Sequence, residues 1–345
     1  MKKVNLFLAL ALVFANLFLT PAAQGEGTRK LTLMVYMCGS NLESSCGSAT
    51  EDIQEMLASM PASREISVLV LTGGSDMPPG AGYFGQENTG IYELASNNRI
   101  RRVAEPDGQN MGDGATLAGF LRWGRENRPA DRYALIVWNH GGGPLEGVCW
   151  DETADMDNLT LTELTGALEE ALDQKLDWIG FDACLMGSLE VAGMLAPYAD
   201  YMIASQEMEP SFGWNYGFLR DLPGDADGAE TGRRIVDAFF EGKEDSTEIL
   251  TLACIDLAAA GEAIDALDPV FLPLSGSLDE ESYLALSARR MTTSGFGKAE
   301  PGFSATGYDL VDALDAATGR SWEDYLADWL YHIDEYNVQR LDWLD

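Results

Sequence analysis

Six short, almost wholly apolar runs alternate along this chain with segments of helical spacing, and that alternation leaves few folds open. The runs are Leu31 to Met37 (LTLMVYM), Ile66 to Thr72 (ISVLVLT), Ala134 to Asn139 (ALIVWN), Trp178 to Asp182 (WIGFD), Tyr201 to Ser205 (YMIAS) and Ile249 to Ile255 (ILTLACI). Successive side chains of a strand point to opposite faces, so a strand apolar at consecutive positions must be covered on both sides. Between the runs, Glu51 to Met60, Ala115 to Glu126, Leu161 to Leu172, Ser188 to Leu195 and Ala229 to Phe240 repeat apolar residues every three or four positions. The expected fold is a three-layer α/β sandwich around a largely parallel central sheet. Thr160 followed by Glu163 is a capping-box signature that starts the helix at Leu161. Ile91 to Val103 reads as two short strand-like pieces around Ser96-Asn97-Asn98, and Gly73 to Gly85 is turn-rich, so both are expected to decorate a sheet edge.

The two ends depart from this alternation. Residues 1–23 carry Lys2 and Lys3, an apolar run from Val4 to Leu19 and then TPAAQGEG, the pattern of a secretory signal. No other run is apolar enough to span a bilayer, so the mature chain is expected to be secreted, with no stable membrane span after signal removal. The α/β core is expected over 24–256. From 257 to 345 the pattern turns helical (Ala258 to Leu267, Glu280 to Arg290, Tyr308 to Ala317, Trp322 to Tyr336) with no Pro- or Ser-rich linker, which predicts a helical C-terminal part packed on the core.

The formal charge of the chain is −34, and it becomes −36 once Lys2 and Lys3 leave with the signal. A field of that sign repels nucleic acid and attracts cations, basic peptides or calcium, although it serves equally as a solubilising surface. Five cysteines (Cys38, Cys46, Cys149, Cys184, Cys254) are an odd number for an exported chain and contain no CxxC or zinc spacing, so at least one thiol is left over.

One of these thiols stands where chemistry is expected. In an open parallel sheet the ligand crevice lies at the carboxyl ends of the strands. His140, one of only two histidines, follows ALIVWN directly and opens HGGG, while Cys184 sits just past WIGF in FDACLMG. A single crossover through the helix at Leu161 brings both to the same sheet edge. A peptide-cleaving thiol needs a tuned nucleophile, a proton donor for the leaving amine and donors for the oxyanion. Cys184, expected at a helix N-terminus that favours thiolate, His140, and the amides of Gly141 and Cys184 supply one candidate for each. A buried structural cysteine and a strand-end histidine are the alternative reading. His332, in DYLADWLYHIDEY, reads as a partly buried helix residue.

NHGGG followed by a strand ending in DACLMGSLEVA resembles the clostripain-like cysteine peptidases of the caspase–hemoglobinase clan. VYMCGSNLES from Val35, NMGDGATLAGFLRWG from Asn110, GVCWDE from Gly147, ASQEMEPSFGWNY from Ala204 and YDLVD from Tyr308 extend the resemblance over the mature chain. It implies a caspase-like sheet, polypeptide substrates, Cys184 as nucleophile and His140 as general acid and base. It also implies an S1 pocket for Arg or Lys lined by Asp182. The turn that usually supplies a second acid reads EPSFGW, with Ser211 and Phe212 in its place. Glu207 and Glu209 are then the candidates to compensate, with Phe212 stacking on a bound guanidinium. Some relatives cleave themselves after a basic residue downstream of the histidine, but here no Arg or Lys lies between Arg132 and Lys175. The chemistry implied needs no cofactor. Calcium stays open as a structural or activating ion because DETADMDN (151–158) is acidic, although it lacks the EF-hand ligand order and a solvated loop is the other reading. A caspase-like module that binds basic peptides without cleaving them is the competing function.

Overall fold

The computed structural model describes residues 29–76, 89–106, 108–210, 212–243 and 250–277, with short pieces at 279, 284, 295–297 and 307–308. The signal segment, the turn-rich stretch beyond residue 76 and the last two expected helices with His332 lie outside the described residues.

The helices are α1 (Ser40–Cys46), α2 (Ser48–Ser59), α3 (Gly114–Asn127), α4 (Gly143–Glu146), α5 (Leu161–Ala171), α6 (Leu189–Leu195), α7 (Gly228–Phe240) and α8 (Leu257–Ser277). The strands are β1 (Arg29–Cys38), β2 (Ile66–Gly73), β3 (Gly90–Ala95), β4 (Arg99–Ala104), β5 (Ala130–Trp138), β6 (Val148–Asp151), β7 (Asp157–Leu159), β8 (Leu176–Asp182), β9 (Ala199–Ala204), β10 (Ala253–Asp256), β11 (Gly295–Phe296) and β12 (Gly307–Tyr308). Eight of them form the central sheet in the order β10-β9-β8-β5-β1-β2-β3-β4. The five strands β9, β8, β5, β1 and β2 run parallel, and antiparallel pairs extend the sheet at both edges. The expected layered, largely parallel α/β architecture is what forms.

The period of two along each strand divides the core. Met34, Tyr36 and Cys38 of β1 face one layer with Leu135 and Val137 of β5, where Leu117, Leu121, Leu164, Leu168, Val191 and Leu257 come from α3, α5, α6 and α8. Leu33, Val35 and Met37 face the other layer with Ala134 and Ile136, against Ile53 and Met56 of α2 and Ile235 and Phe239 of α7. Burying each such Leu or Ile contributes roughly 1.5–3 kcal/mol, so both faces hold the sheet.

Thr160 caps α5 with both halves of the capping box present. Asn97 and Asn98, at φ 73° and 53°, turn β3 into β4. The last described helix departs from expectation. Its periodicity ends before Pro269, yet α8 continues past Pro269 and Pro273 to Ser277. The acidic stretch after the histidine also differs, for it is a hairpin of β6 and β7 around a 3-10 turn at Glu152–Ala154. Asp151 within it is buried: Oδ1 accepts from the amide and hydroxyl of Thr153, and Oδ2 from the Met111 amide at 2.7 Å. The solvated loop is therefore corrected, at least at its first residue.

Candidate active site

The parallel register of β5 and β8 pairs Trp138 with Asp182. His140 and Cys184 each lie two residues past that pair, at the same end of adjacent strands. The loops that carry them touch. A Cβ on Gly141 would stand 2.0 Å from the Cys184 carbonyl oxygen and 3.1 Å from its amide nitrogen, so only glycine allows this approach. Among the described residues neither the Gly141 nor the Cys184 amide donates to a backbone carbonyl. Both remain available to a developing oxyanion.

Asn139 pins the histidine loop. Its Nδ2 donates to the Cys38 carbonyl at 2.7 Å and its Oδ1 accepts from the Trp150 amide at 3.0 Å, while the Cys149 amide donates to the His140 carbonyl at 3.2 Å. The His140 ring bonds Asn41: Nε2 and the Asn41 Oδ1 are 2.7 Å apart. Burial alone pushes the imidazole below its ordinary pKa.

Cys184 is not at a helix N-terminus, which corrects the expectation from sequence. The helix α6 begins at Leu189 under a Ser188 cap, five residues on. The thiol is held from the other side, where Sγ accepts from the Glu209 amide at 3.1 Å. Burial pushes its pKa up, with the charges of Asp182 and Glu207 adding to the rise and the Glu209 amide opposing it. Both shifts favour the uncharged forms, thiol and imidazole. Leu185, the next residue, has φ 65°, a region that costs about 1–2 kcal/mol without glycine, and its amide is tied to the Glu207 carbonyl at 3.1 Å. The chain stores strain directly beside Cys184.

Beneath the thiol, Asp182 is buried at the end of β8. Its Oδ1 accepts from the Trp214 amide at 3.2 Å and its Oδ2 from the Tyr216 hydroxyl at 2.8 Å. The positive φ of Gly213, 57°, lets that turn close on the carboxylate, since a Cβ there would be 3.0 Å from Oδ1. Glu209 lies against Asp182. Burial and the Asp182 charge drive the Glu209 carboxyl well up, and burial raises Asp182 to about 6. Glu209 Oε1 accepts from the Trp214 indole at 3.4 Å, but its buried Oε2 meets no amide, indole or hydroxyl donor among the described residues.

The other two residues expected in this pocket are placed differently. Glu207 gives its Oε2 to the amides of Met208 at 3.2 Å and Gly297 at 3.1 Å, tying the loop to the C-terminal part rather than completing the acid pair. Phe212 is 46% exposed and borders the turn at Gly213. Its ring lies 3.8 Å from the Lys243 ammonium, which also sits 4.4 Å from the Phe239 ring, and the Lys243 charge acts on Asp182. The aromatic face expected to take a cation already holds one from the same chain. Removing it by Lys243→Ala is expected to lower KM for Arg and Lys peptides by about three- to tenfold at unchanged kcat, since a cation–π contact contributes about 0.5–2 kcal/mol. Steady-state kinetics on the wild type and Lys243→Ala checks this, and an unaltered KM would remove Lys243 from the pocket's mouth.

A third carboxyl completes the buried set. Asp52 of α2 accepts from the Trp138 indole at 2.7 Å, and burial together with the Asp182 charge pushes it up to about 9. Between about pH 4 and the folded value the native chain holds a proton that the unfolded chain has lost, so this group makes stability fall as pH rises. Asp52→Asn keeps the indole bond and removes the titration. The variant is expected to melt several degrees higher than wild type at pH 8 and within a degree or two of it at pH 4, read by thermal scans across that range.

Asn41, Asn139, Trp214 and Tyr216 were not singled out by sequence reasoning as site residues. Asn139 directly follows an apolar run, which is its signal, whereas Asn41 stands four residues past Met37 with no such mark. Among the described residues no group of three or more His, Cys, Asp or Glu side chains is arranged to hold a metal ion. No helix there is long and apolar enough to cross a membrane.

A family model described as the Clostripain family matches residues 35–337. Clostripain from Hathewaya histolytica is 31% identical over an alignment of 234 residues that covers 59% of this chain and 43% of that protein. The match thus spans less than half of that relative's length. An inactive zymogen C11 protease from Parabacteroides distasonis superposes with a TM-score of 0.69 at 19% identity, over 90% of this chain and 82% of its own. A secreted C11 cysteine protease from Bacteroides thetaiotaomicron, in complex with an irreversible peptide inhibitor, gives 0.64 at 20% identity over the same shares. At these identities the solved structures share the fold.

Proposed function

We propose, from the premise that this chain belongs to the clostripain family, that it is a secreted cysteine endopeptidase cleaving polypeptides after Arg or Lys. The observation that carries the peptidase reading is the contact of the two loops, with Gly141 against the Cys184 backbone and His140 beside it at the ends of paired strands. As Cys184 Sγ attacks the scissile carbonyl carbon, His140 takes the thiol proton and the amides of Gly141 and Cys184 take the oxyanion. The C–N bond then breaks, the amine leaves with the proton from His140, and a thioester remains. Water attacks that thioester with His140 as base, releasing the acid and restoring the thiol.

The preference for a basic P1 residue is supported by Asp182 and Glu209. Two adjoining buried carboxyl groups, which share a hydrogen bond in the free chain, match a guanidinium that bonds both at once in its place. Glu209 thereby takes the place of the acid missing at Phe212. Export is inferred from the signal pattern of residues 1–23, and one structural neighbour is itself a secreted protease. The steps above draw every group from the chain, so calcium enters as a structural or activating ion if it enters at all.

Fluorogenic peptides differing only at P1 (Arg, Lys, Ala, Leu, Asp), assayed with and without calcium, test this reading. Cleavage confined to Arg and Lys supports it. Cleavage confined to a non-basic residue overturns the pocket assignment, and silence across the panel favours the non-catalytic module that binds basic peptides. A peptidyl acyloxymethyl ketone separates that module directly, because it labels Cys184 only if the thiol is an activated nucleophile.

A further inference from the structure

We propose that Asn41 is a positioning residue for His140, so that the machinery is a Cys-His-Asn set rather than a pair. The inference rests on the peptidase reading for its catalytic consequence, but its geometric content stands apart. An amide oxygen only accepts, so the 2.7 Å contact with Asn41 Oδ1 requires the hydrogen of His140 on Nε2. That leaves Nδ1 as the basic nitrogen in the neutral ring, and it orients the ring by a bond that persists, and strengthens, when the imidazole becomes charged.

Asn41 is built to hold still. The parallel pairing of β1 and β2 continues past their ends, with the Gly39 amide on the Gly73 carbonyl at 2.8 Å and the Ser40 amide on the Gly74 carbonyl at 3.0 Å. Ser40, buried at φ 48°, turns the chain into α1, and the Ser75 hydroxyl donates to its carbonyl at 2.9 Å. Behind Asn41, buried Glu43 accepts from the Thr50 amide at 2.9 Å and locks α1 to α2. A ring-orienting group needs such support, because a misplacement of about 1 Å costs orders of magnitude in rate.

The charged groups around His140 are engaged elsewhere. Glu43 of α1 holds Thr50, Glu152 of the hairpin holds Ser44 and Ser75, Asp151 holds Thr153 and Met111, and Glu146 of α4 packs against Gly142. Cys184 is held by Glu209. Among the described residues no carboxylate bonds the ring in place of Asn41.

The chain has only two histidines, so ring-nitrogen NMR of the full chain in a His332→Gln background reads His140 alone. The wild type is expected to show the Nε2–H form in large excess and Asn41→Ala a mixture of both neutral forms. Asn41→Asp, which places a carboxylate on Nε2, is expected to raise the His140 pKa by about one unit. On a peptide that the wild type cleaves, Asn41→Ala should lose about tenfold or more in kcat with KM little changed, and Asn41→Asp should recover most of it with the acid limb moved to higher pH. Unchanged ring-nitrogen signals in folded Asn41→Ala would overturn the proposal, as would an unchanged kcat. A changed tautomer in a chain that cleaves nothing would leave Asn41 in its role and count against the peptidase reading alone.

Discussion

Cys184→Ala will fold and melt like the wild type and will hydrolyse no peptide bond. The thiol is only half-buried and its polar contacts are with the backbone of Glu209, so its loss removes little packing. With the nucleophile gone, no thioester forms, and what survives is binding plus two oxyanion donors. Rate losses of about 10⁴-fold or more are typical when a nucleophile is removed from a set that acts as a unit. His140→Ala is expected to fall by a similar factor, and the double variant hardly further, because each residue is useless without the other. Peptide turnover by purified variants, with melting temperature as the folding control, checks this. Activity within tenfold of wild type in Cys184→Ala would place the nucleophile elsewhere.

Asp182→Asn will reduce kcat/KM for a P1 Arg peptide by about 10²- to 10³-fold, matching the roughly 3–5 kcal/mol lost when one partner of a buried ion pair is removed. The carboxamide oxygen still accepts from the Trp214 amide, and its NH2 donates to the Tyr216 hydroxyl oxygen once that hydroxyl turns its own hydrogen away, so the pocket wall stands and the loss is chiefly one of charge. The pH profile supplies a second reading. Asp182 binds a cation only when ionised, and its pKa lies at about 6. For Arg peptides the wild-type kcat/KM should therefore rise through about pH 6 and level above it. A P1 Leu peptide, if cleaved at all, should keep only the acid limb that His140 sets, as should Asp182→Asn on either substrate. An Arg-to-Leu ratio that Asp182→Asn leaves unaltered would show that the acid does not face P1. Glu209→Gln tests the other half of the pair, and a loss in it as large as that in Asp182→Asn would make the two a single site.

The layered sheet and the placing of His140 and Cys184 at one edge of it were legible in sequence for one physical reason. Strands buried on both faces must be apolar at every position, as LTLMVYM and ALIVWN are, and the strand-helix alternation then sends the strand ends to one edge. His140 and Cys184 stand out there as polar residues directly after apolar runs. The helix dipole behind Cys184 was not legible, since MGSLEVA does not say whether the first turn starts at Ser188 or sooner. Nor was the difference between Glu207 and Glu209. They are two residues apart in an irregular segment, and which one turns to Asp182 depends on the Gly297 amide, which comes from ninety residues further along the chain.

The sequence by itself determined what local periodicity and residue chemistry can determine: the sandwich, the capped helix at Leu161, and the placing of His140 and Cys184 at one edge of the sheet. Only the tertiary structure decided which groups surround them. The Asn41 bond to His140, the gathering of Asp52, Asp182 and Glu209, and Lys243 over Phe212 each join segments separated by tens of residues. Such contacts leave no period in the sequence, and the pKa shifts that follow from them come from burial and charge at a distance, which exist only once the chain has closed around them.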